Sequence, residues 1–144
     1  RQENTFETHK PMPPRKQHEE PIGFDEGWGK LSKFILRAEL TIFDNAGRIF
    51  SQDEYSEAVT QHYKIVYTMA TQRPPMNFSE ALYNQLMVEI SAVAARRRST
   101  APKEAVDLYA RMLGHVFKYI DRFYVLRAEK TPITQVVENA FNLV

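Results

Sequence analysis

The sequence predicts an all-α protein, a five-helix bundle preceded by a flexible tail. Three observations predict it. Apolar residues recur at three- and four-residue spacing from Ile22 onward, the period of an amphipathic helix. No stretch alternates with period two for long enough to build a sheet. Prolines and turn residues interrupt the periodic pattern at intervals that leave short connections, as bundle packing requires.

Residues 1–21 hold four of the eight prolines and almost no periodic apolar residues. Such a segment buries too little surface to offset its ordering entropy, so it is expected to be a solvated arm. Its Lys10, Arg15 and Lys16 offer at most a weak basic contact. Residues 22–144 are expected to form the single folded domain. In the first helix Phe24, Trp28, Leu31, Phe34, Ile35, Ala38 and Ile42 line one face. Asp44-Asn45-Ala46-Gly47 reads as a turn. Ser51 and Glu54 have capping-box spacing, which opens a second helix over 52–71. Pro74-Pro75 stops it, because a residue before proline is pushed out of the helical region. Asn77-Phe78-Ser79-Glu80 opens a third helix, with Leu82, Leu86, Ile90, Val93 and Ala94 inward. Arg96-Arg97-Arg98 falls at its end, where solvated cations suit the helix dipole. Ser99 or Thr100 is expected to cap a long fourth helix over 102–128, with Pro102 in its first turn. Thr131-Pro132 breaks that helix. Thr134 starts the last one, which carries Val136, Val137, Ala140, Phe141 and Val144. The apolar pattern is still running at Val144, so the sequence reads as part of a longer chain.

Composition narrows the function. Of 144 residues 43% are hydrophobic and 26% charged, enough to bury a core. Zero Cys excludes a disulfide scaffold and a cysteine zinc site, and it leaves a cytoplasmic or nuclear home open. No run approaches the roughly 18 apolar residues of a membrane span. A net charge of +1 gives no general attraction to nucleic acid or anionic lipid. No Gly-rich phosphate loop, zinc-protease helix or nucleophile elbow is present, so no catalytic residue, metal or cofactor is assigned. His62 and His115 lie on different helices without an acidic partner at ligand spacing, and read as ordinary helix-face histidines. They and the Arg run are the only support for a stand-alone enzyme or nucleic-acid binder.

The fourth helix is the informative element. Val106, Tyr109, Leu113, Val116, Phe117, Ile120 and Phe123 already make an inward stripe. Leu108 and Met112 lie on a neighbouring face, with His115 one turn further. The second helix has a similar surplus, with Tyr63 and Tyr67 beside the line Tyr55, Val59, His62, Val66 and Met69. A second apolar face bearing Tyr and Met is either a partner-docking surface or more core. Periodicity leaves both open.

Four strings resemble the cullin family, in the family's order, over about residues 22–144. They are Ile22-Gly23-Phe24-Asp25-Glu26-Gly27-Trp28, the run from Tyr63 through Thr71-Gln72-Arg73-Pro74-Pro75, Asn77-Phe78-Ser79-Glu80-Ala81-Leu82-Tyr83, and Phe117-Lys118-Tyr119-Ile120-Asp121-Arg122-Phe123-Tyr124-Val125. The Thr-Gln-Arg-Pro-Pro turn is most similar to SCF-type, cullin-1-like members. The resemblance implies a first cullin repeat, cut before its last helix ends, from the scaffold of a ubiquitin ligase. It implies a non-catalytic segment that docks a Skp-type adaptor carrying an F-box protein. The RING subunit would be reached only through a C-terminal domain not present here. Carried over by position, the adaptor-binding residues are Val59, Thr60, Tyr63, Leu108, Arg111, Met112 and His115. Leu108, Met112 and Tyr63 would be anchors and Arg111 a rim charge. Trp28, Tyr67, Tyr119, Phe123 and Tyr124 would be core. Two departures stand out. Val59-Thr60 replaces the Tyr-Met pair of SCF-type members, which keeps BTB, elongin-type and propeller adaptors, or an unrelated helical interaction module, as alternatives. The stretch from Leu82 to Tyr124 is also shorter by roughly a dozen residues, about three to four helical turns.

Overall fold

A computed structural model describes residues 20–44 and 51–142. Residues 1–19 of the expected 1–21 tail, the turn beyond Asp44 and the end of the chain at Val144 lie outside the described residues. Every regular element among the described residues is helical. In chain order they are α1 (Phe24–Asp44), α2 (Gln52–Thr71), α3 (Ser79–Arg97), α4 (Lys103–Val116), a π-helical segment (Ile120–Val125), α5 (Leu126–Ala128) and α6 (Ile133–Asn142). The fold class is therefore all-α, as the periodicity predicts.

Local chemistry sets most of the boundaries. Ser51 Oγ accepts the Glu54 N–H at 3.1 Å while the Ser51 N–H donates to Glu54 Oε1 at 3.1 Å, so the capping box forms. α2 ends at Thr71, ahead of Pro74-Pro75. Gln72 then turns inward. Its Oε1 accepts the Ile22 N–H at 2.5 Å, and its Nε2 donates to the carbonyls of Ile22 at 3.1 Å and Met76 at 2.6 Å. One buried amide thus ties the approach to α1 to the turn after α2.

Two expectations for the fourth helix are corrected. Neither Ser99 nor Thr100 caps α4. The chain leaves α3 through a turn in which the N–H groups of Thr100 and Ala101 both donate to the Arg97 carbonyl. Pro102 then takes the cap position with no side-chain hydrogen bond. The long fourth helix is also not regular. It is α-helical to Val116, turns at Phe117 and widens to π over Ile120–Val125. It stops at Ala128 because Glu129 adopts a left-handed conformation (φ 57°), and the Lys130 N–H closes back on the Val125 carbonyl at 3.0 Å. The break falls before Thr131-Pro132. Asp121, in the π segment, accepts the Ile133 N–H at 3.0 Å and so caps α6 from across the bundle.

The core forms between these helices. Leu31, Phe34, Ile35, Ala38 and Ile42 of α1 are buried, as is the whole predicted stripe of α3. α4 is the central element, packed on α6, α2 and α1. Gly27 lets α1 and α2 approach closely, since a Cβ there would lie 2.3 Å from Met69 Sδ. Tyr109 is fully buried between Phe43 and Phe141, and its hydroxyl finds no protein acceptor. Burial pushes its phenol far above the usual range, so it stays neutral. A buried hydroxyl without a partner is a net cost. Tyr109→Phe is expected to raise the unfolding free energy by about 1 kcal/mol, read from urea denaturation. A loss of stability would contradict this account of Tyr109.

The Arg run is the largest correction to its expected role as solvated cations. Glu39 of α1 is 1% exposed. Its carboxylate accepts from Arg96 Nη2 at 2.8 Å, Arg96 Nε at 3.2 Å and Arg97 Nε at 2.8 Å. Arg97 also pairs with Asp44 and lies over the Phe43 ring at 5.6 Å. Arg98 Nη1 donates to the Ala140 carbonyl at 2.9 Å, near the end of α6. These cations pin α1 and α6 to the end of α3.

Candidate functional site: an aromatic groove between α2 and the π segment

α2 presents Val59, Thr60, Tyr63 and Tyr67 along one side of an open groove of about 490 Å³. The end of α4 and the π segment supply His115, Lys118, Tyr119, Arg122 and Phe123 along the other. The spacing of 59, 63 and 67 places those residues one above another on α2. Four rings form a ladder across the floor. Tyr63 and Tyr67 stack at 6.4 Å, Tyr67 meets Tyr119 edge-on at 5.2 Å, and Tyr119 meets Phe123 at 4.5 Å. Tyr55 bounds the His115 end, with its Oη 2.9 Å from His115 Nδ1. Burial raises the Tyr63 phenol, Tyr67 and Tyr119 add to the rise, and Arg122 opposes it. Tyr63 is thus a neutral donor at ordinary pH.

The structure brings together four of the seven expected docking residues: Val59, Thr60, Tyr63 and His115. Arg111 is exposed but does not line the groove. Leu108 is half-buried and packs on the core. Met112 is corrected outright: it is 0% exposed and cannot anchor a partner. The reason is the central place of α4, which must cover three neighbouring helices. Its buried arc therefore spans Ala105, Tyr109, Ala110, Met112, Leu113 and Val116. The apparent surplus on that helix is core.

The opposite correction applies to Phe123, expected inside but 50% exposed. A π turn closes on i+5 rather than i+4, so the buried residue after Ile120 is Val125, and Phe123 swings outward. Tyr67 and Tyr119, also assigned to the core, are half-buried and line the groove. Lys118 and Arg122 went unassigned from sequence. The signal for these residues lies in the Lys118-to-Phe123 string itself, where two cations four apart alternate with two rings four apart. His62 is absorbed by packing, stacked on Phe34 at 4.1 Å, with its Nδ1–H donating to the Ala58 carbonyl at 2.7 Å.

Fold and groove together define a helical bundle with an aromatic, cationic surface cleft. Comparison with known proteins adds two distant similarities. Over 138 residues the chain is 25% identical to cullin-like protein 1 of Arabidopsis thaliana, covering 85% of this chain and 19% of that protein. Over 135 residues it is 22% identical to cullin-1 of Oryza sativa subsp. japonica, covering 83% of this chain and 18% of that protein. The chain is thus distantly similar, over most of its length, to one cullin-like protein and one cullin-1. It spans about a fifth of the length of these relatives. No family model and no solved structure matches it.

Proposed function

We propose that the chain is the first repeat of a cullin scaffold and that its groove docks a Skp-type adaptor carrying an F-box receptor. The segment acts in the cytoplasm and nucleus as a non-catalytic part of a ubiquitin ligase. The observation that carries the reading is the groove itself. Val59, Thr60, Tyr63 and His115, docking positions carried over from the family resemblance, converge on one aromatic cleft of the folded chain. Partly exposed aromatic residues around a concavity are the usual anchors of a protein interface.

Calorimetric titration of the chain with a purified Skp-type adaptor tests this. Tyr63→Ala is expected to weaken binding by about 30-fold, the effect of losing an anchor of about 2 kcal/mol. Unchanged affinity would remove the groove from the interface. A second reading rests on Val59-Thr60, which lacks the aromatic anchor of SCF-type members. It keeps the groove and exchanges the adaptor for a BTB, elongin-type or propeller protein. Binding of one of these with no binding of the Skp-type protein would favour it.

A further inference from the structure

The groove is electrically one-sided. Its lining includes Lys118 and Arg122 and no Asp or Glu. The two cations are exposed, four residues apart, and neither joins a salt bridge among the described residues. By contrast, Lys30, Arg96, Arg97 and Lys103 each have a carboxylate partner. Any partner that covers the rings must also cover or border these two charges. A neutral partner would desolvate them without compensation, and a basic partner would be repelled. An acidic partner alone gains from both the apolar floor and its charged edge.

Resting on the docking reading above, we propose that the protein segment seated in this groove is acidic and amphipathic. An apolar side chain enters between Tyr63 and Phe123, and carboxylates flank it on Lys118 and Arg122. A nucleic acid fits the same groove less well. Tyr67 and Tyr119 meet edge-on, with 85° between their planes, which interrupts the ladder and leaves no continuous series of open faces for stacking. Two cations on a chain of net charge +1 also make no backbone track.

The test measures affinity for the Skp-type adaptor at 50 and 300 mM salt, and for two synthetic amphipathic peptides. One peptide has a Glu-rich polar face and the other replaces each Glu by Lys. For the wild-type chain, adaptor affinity is expected to fall about three- to tenfold with added salt. Lys118→Glu/Arg122→Glu is expected to weaken it at least tenfold at low salt, mainly through a slower on-rate. Lys118→Met/Arg122→Met should lose less affinity and most of the salt dependence. The Glu peptide should shift the Tyr63 and Phe123 ring resonances, and the Lys peptide should not. Adaptor binding that is indifferent to charge reversal overturns the proposal and leaves the docking reading intact. Absence of adaptor binding with a groove response to the Glu peptide overturns the docking reading and supports the proposal. Silence with both overturns both. A single-stranded oligonucleotide that shifts the same resonances at physiological salt also overturns it.

Discussion

Replacing Arg97 with Met is expected to lower the unfolding free energy by about 3 kcal/mol, the low end for stranding one partner of a buried ion pair. Glu39, 1% exposed in the intact network, then keeps only Arg96, whose side chain is 48% exposed. Asp44 and the Phe43 ring lose their cation in the same step. Glu39→Gln should cost less, about 1.5 kcal/mol, because the two guanidiniums it releases can reach water. Glu39→Leu/Arg97→Met should recover much of the single-mutant loss, since an apolar pair needs no desolvated charge. Urea denaturation of the four proteins checks the order.

The same network sets a pH dependence. Burial pushes the Glu39 carboxyl up, but hydrogen bonds and charge from Arg96 and Arg97 outweigh it and hold the carboxyl below the usual carboxylate range. A carboxyl depressed on folding contributes stability above its unfolded value, and that stability is lost as pH falls through the folded value. Asp121 has the opposite sign. Burial raises it against the Ile133 hydrogen bond, so its contribution is complete below its unfolded value and is lost as pH rises through its folded one. Arg97→Met should therefore flatten the acid side of the stability profile, leaving the Asp121 contribution in place.

Deleting Phe123 is expected to weaken docking severely while leaving the bundle folded. The π segment holds one residue more than an α turn, and that residue lets Ile120 and Val125 both face the core. With Phe123 removed, Ile120 and Val125 stand four apart, which is α spacing. Helix content and melting temperature should change little. Adaptor affinity should fall more than 30-fold, beyond the loss of one anchor, because the wide turn that aims the groove's ring ladder is gone. Phe123→Ala keeps the π register and should lose only the single anchor. Equal losses in the two variants would show that the wide turn contributes nothing to the groove.

What the sequence discloses here depends on how local the deciding interaction is. α1 and α3 were legible because each buries one arc, and apolar spacing reports one arc directly. The capping box was legible because both of its partners lie within four residues. α4 was not, since the number of helices packed around it is a property of the whole bundle; Met112 follows from that number. The Arg run was misread because its partner Glu39 lies 57 residues away from Arg96 in sequence. A local hint existed, as Glu39 falls between Ala38 and Ile42 on the apolar arc of α1. Half of the groove was legible through family resemblance. The place of Phe123 in it depends on a π turn that shifts the ring outward, and a 3.6-residue period carries no trace of it.

The central claim is that a partner adaptor sits on the α2 and π-segment groove. A photo-crosslinking residue placed at Thr60, exposed in the groove, tests it against one placed at Leu36, which is 50% exposed on α1 and outside the groove. Each protein is mixed with the Skp-type adaptor and irradiated. The account predicts an adaptor adduct from position 60 and none from position 36. An adduct from position 36 alone would contradict it.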